Sequence, residues 1–167
     1  MSVIITFHNE IWSVLLRCIH SVFNRSPAEL MHEIILINDA STFPELALNL
    51  SSYVVHHFNG KVKVHHNEKR EGLIRARMIG ARLAEGDVII FLDSHMEVTN
   101  IWLPPLLEPL VYDPTFAAVP IVEGMLHDTF AYSYIGNGYR GTFDWNFRYQ
   151  WLPLRPQDEA NIGNNFE

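Results

Sequence analysis

Asp87-Val88-Ile89-Ile90-Phe91-Leu92-Asp93-Ser94-His95 decides how this chain folds. An apolar, β-branched run turns abruptly polar, which is the pattern of a buried strand breaking into a loop. In an extended backbone, residues i and i+2 point to the same side, so Asp93 and His95 present a carboxylate and an imidazole together. An oxygen–nitrogen pair with open positions left over suits a divalent cation of the manganese kind. The loop at the carboxyl end of a strand is also where open α/β sheets bind ligands. The plainer alternative is that Asp93 caps a turn and His95 packs beside it. Asp-x-His alone does not choose between the two.

The strand-then-polar pattern recurs on the N-terminal side. Residues 3–7 are apolar and β-branched and end in His8-Asn9-Glu10. Ile11, Val14, Leu15, Cys18, Ile19 and Val22 then recur at helical spacing, with Pro27 just beyond. Residues 33–37 read as a second buried strand ending in Asn38-Asp39-Ala40-Ser41, and residues 44–55 as a helix. Residues 61–65 alternate like a third strand. Residues 70–85 read as a helix with Gly72 near its start and Gly86 at its end, and residues 88–92 as the fourth strand. Strands alternating with helices indicate an α/β layered domain with a mainly parallel sheet. The polar residues after Phe7, Ile37, His65 and Leu92 then line one edge of that sheet.

Beyond residue 100 the pattern loosens. Pro104, Pro105 and Pro109 restrict any helix over residues 102–110 to a short one or one that starts at a proline. Residues 116–122 read as a strand whose Pro120 favours an edge position. Residues 132–151 are rich in aromatics, with Gly136, Gly138 and Gly141 among them. They read either as a substrate-facing loop or as a satellite hydrophobic cluster.

Bulk properties narrow the function class. The 167 residues suffice for one domain with a real core. A hydrophobic fraction of 48% and a mean hydropathy of +0.02 are globular, not disordered. A net charge of −7 argues against a nucleic-acid surface, which is usually basic. Cys18 is the lone cysteine and falls on the apolar helix face, so it reads as core, not nucleophile. No apolar run is long enough to span a bilayer, so no membrane contact is expected of this chain, and no signal-peptide pattern opens it.

Several residues suggest a nucleotide pocket. Thr6 and His8 share one side of the first strand. Asp39, at the end of the second, reads as an acceptor for a base or ribose, or as a turn cap beside Ala40-Ser41-Thr42. Neither GxGxxG after the first strand nor a GxxxxGK phosphate loop occurs, which argues against those two nucleotide sites. Arg70-Glu71-Gly72-Leu73-Ile74-Arg75-Ala76-Arg77 opens a helix with a glycine and three arginines. It reads as a diphosphate site or as a charged helix face that Arg82 continues. His56-His57 and His65-His66 are adjacent pairs that do not share a face, so they belong to surface or loop ends. His127-Asp128 is a weaker metal candidate.

Taken together, these stretches resemble the polypeptide N-acetylgalactosaminyltransferases, which start mucin-type O-glycosylation. The matching segments also include Ser21-Val22-Phe23-Asn24-Arg25-Ser26-Pro27, Trp102-Leu103-Pro104-Pro105-Leu106-Leu107 and Arg140-Gly141-Thr142-Phe143-Asp144-Trp145. They follow the family's order and spacing over residues 2–153. The resemblance implies a GT-A glycosyltransferase fold, an α/β architecture with a Rossmann-like, mainly parallel nucleotide-binding sheet. It implies transfer of N-acetylgalactosamine from UDP-GalNAc to Ser or Thr of a polypeptide acceptor, with retention at the anomeric carbon. It also implies Mn2+ as cofactor and the Golgi lumen as compartment. In this resemblance Asp93 and His95 ligate the metal, Ser94 touches the nucleotide sugar, and Thr6, Phe7 and His8 hold the uridine. Asp39 and Arg70 contact the donor.

The departures from the family pattern shape a second expectation. Asn38 stands where the family usually has an aspartate, and no histidine follows His127 to serve as third metal ligand. The family's Trp-Gly-Gly-Glu-Asn loop is absent as such. Its nearest echo is Ile162-Gly163-Asn164-Asn165-Phe166-Glu167, with Asn164 in place of the glutamate. The expectation is a single, incomplete GT-A catalytic domain over residues 1–167, without the family's lectin domain and with little transferase activity alone. The rivals are a catalytically inactive or truncated relative acting as a nucleotide-binding or interaction module, and a metal-dependent nucleotidyltransferase.

Overall fold

Two strands whose every residue is buried form the centre of the molecule, β1 (Ser2–Phe7) and β2 (Glu33–Asn38). Near-continuous Val and Ile runs are what a parallel sheet covered on both faces requires. β3 (Val62–His66) pairs with β2, and β4 (Ile89–Asp93) pairs with β1, all in parallel, giving the order β3-β2-β1-β4. The register sets Thr6 beside Asp93, Phe7 beside Asn38 and Asn38 beside His66. All four carboxyl ends therefore finish level on one edge. The fold is that of a computed structural model, which describes residues 1–120, 122–133 and 139–157.

The alternation of side chains along β1 and β2 divides the core in two. Val3, Ile5, Ile34 and Leu36 face α1 (Trp12–Arg25), whose buried stripe is Leu15, Cys18, Ile19 and Val22. A short π-helical turn (Glu45–Asn49) running into α2 (Leu50–His57) adds Leu46, Leu50 and Val54 to the same layer, with Phe58 following. Burying each such side chain contributes about 1.5–3 kcal/mol. On the opposite face Ile4, Ile35 and Ile37 meet Ala76 of α3 (Leu73–Leu83). Gly80 sets that close approach, since a Cβ there would lie 2.4 Å from the Ile4 Cγ2 methyl.

Three sequence expectations need correction. Helix α3 begins at Leu73, not residue 70, because Gly72 stands at φ 82° and ψ 165°, outside helical space. β4 is not a fully buried strand. It is the outer strand of its sheet, and Ile89 and Phe91 are 39% and 44% exposed. Residues 116–120 and 122 take no strand pairing: Phe116, Val119 and Val122 are exposed, and Pro120 has no N–H to give a ladder. The expected proline start does hold, as α4 is Pro104–Tyr112 and Leu103 before it is buried.

The chain divides into two compact units, Met1–Phe116 and Ala117–Glu167. The second contains two antiparallel pairs: β5 (Gly124–Met125) with β6 (Tyr132–Ser133), and β7 (Tyr139–Phe143) with β8 (Tyr149–Pro153). The Asp144 carboxylate closes the β7–β8 turn by accepting from the Asn146 and Arg148 N–H groups at 2.8 and 2.9 Å. Phe143, Tyr149 and Trp151 pack edge to face along the hairpin, while Trp145 at its turn is fully exposed. Gly136, Gly138 and the Ile162-Gly163-Asn164-Asn165-Phe166-Glu167 stretch lie outside the described residues. Among the described residues, no helix is long and apolar enough to cross a membrane.

Candidate functional site

Where β1 leaves the sheet, Asn9 turns the chain at φ 52° and His8 reaches β2. The His8 Nδ1–H donates to the Asp39 carbonyl at 2.8 Å, and the Asp39 N–H donates to the Phe7 carbonyl at 2.9 Å. The ends of β1 and β2 are thereby locked together. Thr6 is 8% exposed, and its Oγ1 has no hydrogen-bond partner. A buried hydroxyl left without a partner calls for an explanation, and a bound ligand is one.

Asp39 is 4% exposed, and both carboxylate oxygens are engaged. Oδ1 accepts from Asn67 Nδ2 and from the Glu71 N–H, both at 2.8 Å, and Oδ2 accepts from the Gly72 N–H at 2.9 Å. Burial pushes its pKa up, but these three donors and the nearby Arg70 guanidinium outweigh it, so the carboxyl lies below its ordinary range. The result is a latch that holds the entry of α3 against the end of β2. Neighbouring Asn38 uses both ends of its amide. Its Oδ1 accepts from the Ser41 N–H at 2.9 Å while Nδ2 donates to the Leu46 carbonyl at 3.1 Å. An ionised aspartate could not make the second bond.

The end of β4 contributes the other wall. Asp93 Oδ1 accepts from Arg77 Nη2 at 2.9 Å, and the Arg77 guanidinium lies over the Phe91 ring, 5.9 Å from its centre. Ser94 is buried and donates its hydroxyl to Glu10 Oε2 at 2.6 Å, and His95 Nδ1 lies 3.2 Å from the same oxygen. Burial pushes the Glu10 pKa up, but bonds from Ser94, the Ile11 N–H and His95 leave it below the usual carboxylate range.

These walls enclose a cleft of about 250 Å³. Thr6 and His8 line it from β1, Asp39 from β2, Arg70 and Leu73 from the entry of α3, and Asp93, Ser94 and His95 from β4. Thr6, His8, Asp39, Arg70, Asp93, Ser94 and His95 are thus brought to one place, whereas the weaker candidate His127-Asp128 is not among the lining residues. The donor set fits a divalent cation: a carboxylate that already holds a cationic partner, and an imidazole that is 62% exposed. Among the described residues, Asp93 and His95 belong to no group of three mutually close His, Cys, Asp or Glu ligand atoms, although Glu10 Oε2 lies 3.2 Å from His95 Nδ1. A group of three does form at the opposite, amino edge from His32, Glu33 and Glu85, where Lys63 Nζ already pairs with Glu33 at 2.8 Å and Glu85 at 3.6 Å.

The histidine pairs have structural roles. His66 bonds to Asn38 and to Ser51, and His57 stacks on Tyr53 with ring centres 3.9 Å apart. Beside His127, Asp128 caps its own turn through the Thr129 N–H at 2.9 Å. Two residues behind the cleft take roles that the sequence does not assign: Glu10, in the polar His8-Asn9-Glu10 run, holds Ser94 and His95, and Arg77, read as part of a diphosphate site, pairs with Asp93.

Residues 2–160 match the profile of glycosyl transferase family 2. The chain is 49% identical over 167 residues to N-acetylgalactosaminyltransferase 6 of Drosophila melanogaster, covering 100% of this chain and 25% of that protein. It is 45% identical over 168 residues to polypeptide N-acetylgalactosaminyltransferase 10 of Homo sapiens, covering 99% of this chain and 28% of that protein. Among solved structures it matches GalNAc-T7 with UDP, GalNAc and Mn2+ at a TM-score of 0.85 and 42% identity, covering 96% of this chain and 30% of that one. The chain therefore spans less than a third of the length of these relatives.

Proposed function

This chain belongs to glycosyl transferase family 2 and is similar throughout to polypeptide N-acetylgalactosaminyltransferases, and from that premise we propose that its cleft binds UDP-GalNAc through Mn2+. The reaction it serves is transfer of N-acetylgalactosamine to Ser or Thr of a polypeptide, with retention, in the Golgi lumen. The observation that carries the reading is the convergence of Asp93, Ser94 and His95 with Thr6, His8, Asp39 and Arg70 on one cleft. The similarity to a protein crystallised with UDP, GalNAc and Mn2+ supports it.

The roles follow from the chemistry of each group. The unpartnered Thr6 hydroxyl and the His8 ring, anchored through Nδ1, offer polar contacts to the uridine. Asp39 acts from below, since its carboxylate is spent on the α3 entry and so fixes where Arg70 stands. Arg70 offers a planar, always-charged fork to the diphosphate. Asp93 and His95 would hold the metal, whose positive charge would offset that of the diphosphate and of UDP as a leaving group. Ser94, held by Glu10, contacts the nucleotide sugar.

A second reading is that the chain binds the nucleotide sugar without transferring it. One experiment separates the readings. The chain is titrated with UDP-GalNAc and Mn2+, then incubated with both and a Ser/Thr peptide that is weighed by mass spectrometry. Binding with a sugar-sized mass gain supports transfer, and binding alone supports the second reading. Preference for a nucleoside triphosphate with a sugar-1-phosphate would refute both.

A further inference from the structure

Glu10 has no place in the donor contacts or the metal pair above, yet it ties two loops of the cleft together. It lies beyond the end of β1 and reaches the loop after β4. There its Oε2 accepts from Ser94 Oγ at 2.6 Å and stands 3.2 Å from His95 Nδ1. Its Oε1 accepts from the Ile11 N–H at 3.0 Å, so the carboxylate is held at both ends. The Glu10 side chain is 19% exposed and that of His95 is 62% exposed. The anchored nitrogen thus faces the protein, and ring geometry puts Nε2 on the far side. An ionised carboxylate accepts only, so a neutral His95 must carry its hydrogen on Nδ1 and keep the Nε2 lone pair.

We infer that Glu10 is a positioning residue for a divalent cation at this cleft, holding Ser94 and fixing His95 in the orientation and tautomer that present Nε2 to the metal. The inference rests on the reading that Asp93 and His95 hold that metal. Ligating histidines commonly donate their second N–H to a carboxylate, and losing that partner costs about 10–100-fold in metal affinity. Glu10 differs from a direct ligand in one respect that can be measured: its effect passes through His95.

The test uses the chain with UDP present, reading free Mn2+ by its paramagnetic resonance signal in the parent, Glu10→Ala, Glu10→Gln, His95→Ala and the double variant Glu10→Ala/His95→Ala. Nitrogen NMR of the metal-free chain, at a pH where histidine is neutral, reads the His95 tautomer. Glu10→Ala is expected to weaken Mn2+ binding by about 10–100-fold and to move the hydrogen from Nδ1 to Nε2. In the His95→Ala background the same change should alter affinity by less than about threefold, because the two residues act as one unit. Glu10→Gln, whose amide oxygen still accepts, should keep the Nδ1–H tautomer and lose less affinity. An equal loss in both backgrounds would mean a general field effect and overturn the role, as would an unchanged Glu10→Ala or an Nε2–H tautomer in the parent. If Glu10→Ala does not fold, the parent tautomer and Glu10→Gln decide. A parent with the Nδ1–H tautomer that binds no Mn2+ would reject the metal reading itself, and with it the purpose of the arrangement.

Discussion

Replacing Asp39 with asparagine keeps the volume of the side chain and removes one acceptor and the charge. In the parent, three donors converge on the carboxylate: Asn67 Nδ2, the Glu71 N–H and the Gly72 N–H, at 2.8, 2.8 and 2.9 Å. Asparagine can turn its oxygen toward Asn67 and Glu71, but its NH2 group then faces the Gly72 N–H, donor against donor. Two charge-assisted bonds become neutral ones, at a loss of about 1 kcal/mol each, and one part-buried donor is abandoned at about 1–3 kcal/mol. The sum is about 3–5 kcal/mol. That reaches only the lower end of the about 5–15 kcal/mol expected of a domain, so the variant should still fold at neutral pH without denaturant. With urea slopes of about 1–3 kcal/mol per molar, the unfolding midpoint should fall by roughly 1–5 M. The effect must also depend on pH with a definite sign. The folded Asp39 carboxyl is held below its ordinary range, so its contribution is complete above the unfolded value of about 3.9 and fades as pH falls through the folded one. Parent and variant should therefore converge in acid. A neutral-pH difference under about 0.5 kcal/mol, the size of an ordinary surface substitution, would refute the latch. So would a difference that widens on acidification.

Gly80→Ala should destabilise the chain by about 1–3 kcal/mol through overpacking, although alanine is the better helix former by about 1 kcal/mol. The new Cβ would stand 2.4 Å from the Ile4 Cγ2 methyl on a stiff, β-branched side chain, and urea unfolding at or above parent stability would contradict that packing. Burial pushes the Cys18 thiol up to about 12, so the folded chain should resist alkylation at mildly alkaline pH and react fully once unfolded in urea. Mass spectrometry after iodoacetamide treatment checks this, and rapid labelling of the folded chain would contradict the burial.

The parallel core was legible because its information is local. The Val and Ile runs of β1 and β2, and the Leu15, Cys18, Ile19, Val22 stripe, follow periodicities that neighbouring residues set. Once strands are parallel, their polar ends must meet on one edge, and Thr6, His8, Asp39, Asp93, Ser94 and His95 could be gathered before any distance was known. What escaped depends on partners far along the chain. Residues 70–72 carry helical pattern, yet Asp39, more than thirty residues earlier, takes the Glu71 and Gly72 N–H groups and delays the helix to Leu73. Glu10 meets Ser94 and His95 across more than eighty residues, and no spacing rule reports that. Residues 116–122 show strand composition, but β-propensity describes fit to a pleated surface, and the described residues there find no such partner. Asn38 reads as a lost acid until Leu46 shows that a donor is needed at that position.

The central claim is a manganese-dependent nucleotide site built on Asp93 and His95, and calorimetric titration of UDP into the chain tests it most directly. The parent and Asp93→Ala are each titrated with and without Mn2+. The account predicts saturable binding by the parent only when Mn2+ is present, and its loss in Asp93→Ala while the metal-free variant stays folded, losing no more than the exposed Arg77 ion pair contributes, about 0–1 kcal/mol. UDP binding that ignores Mn2+, or that survives intact in Asp93→Ala, would contradict it.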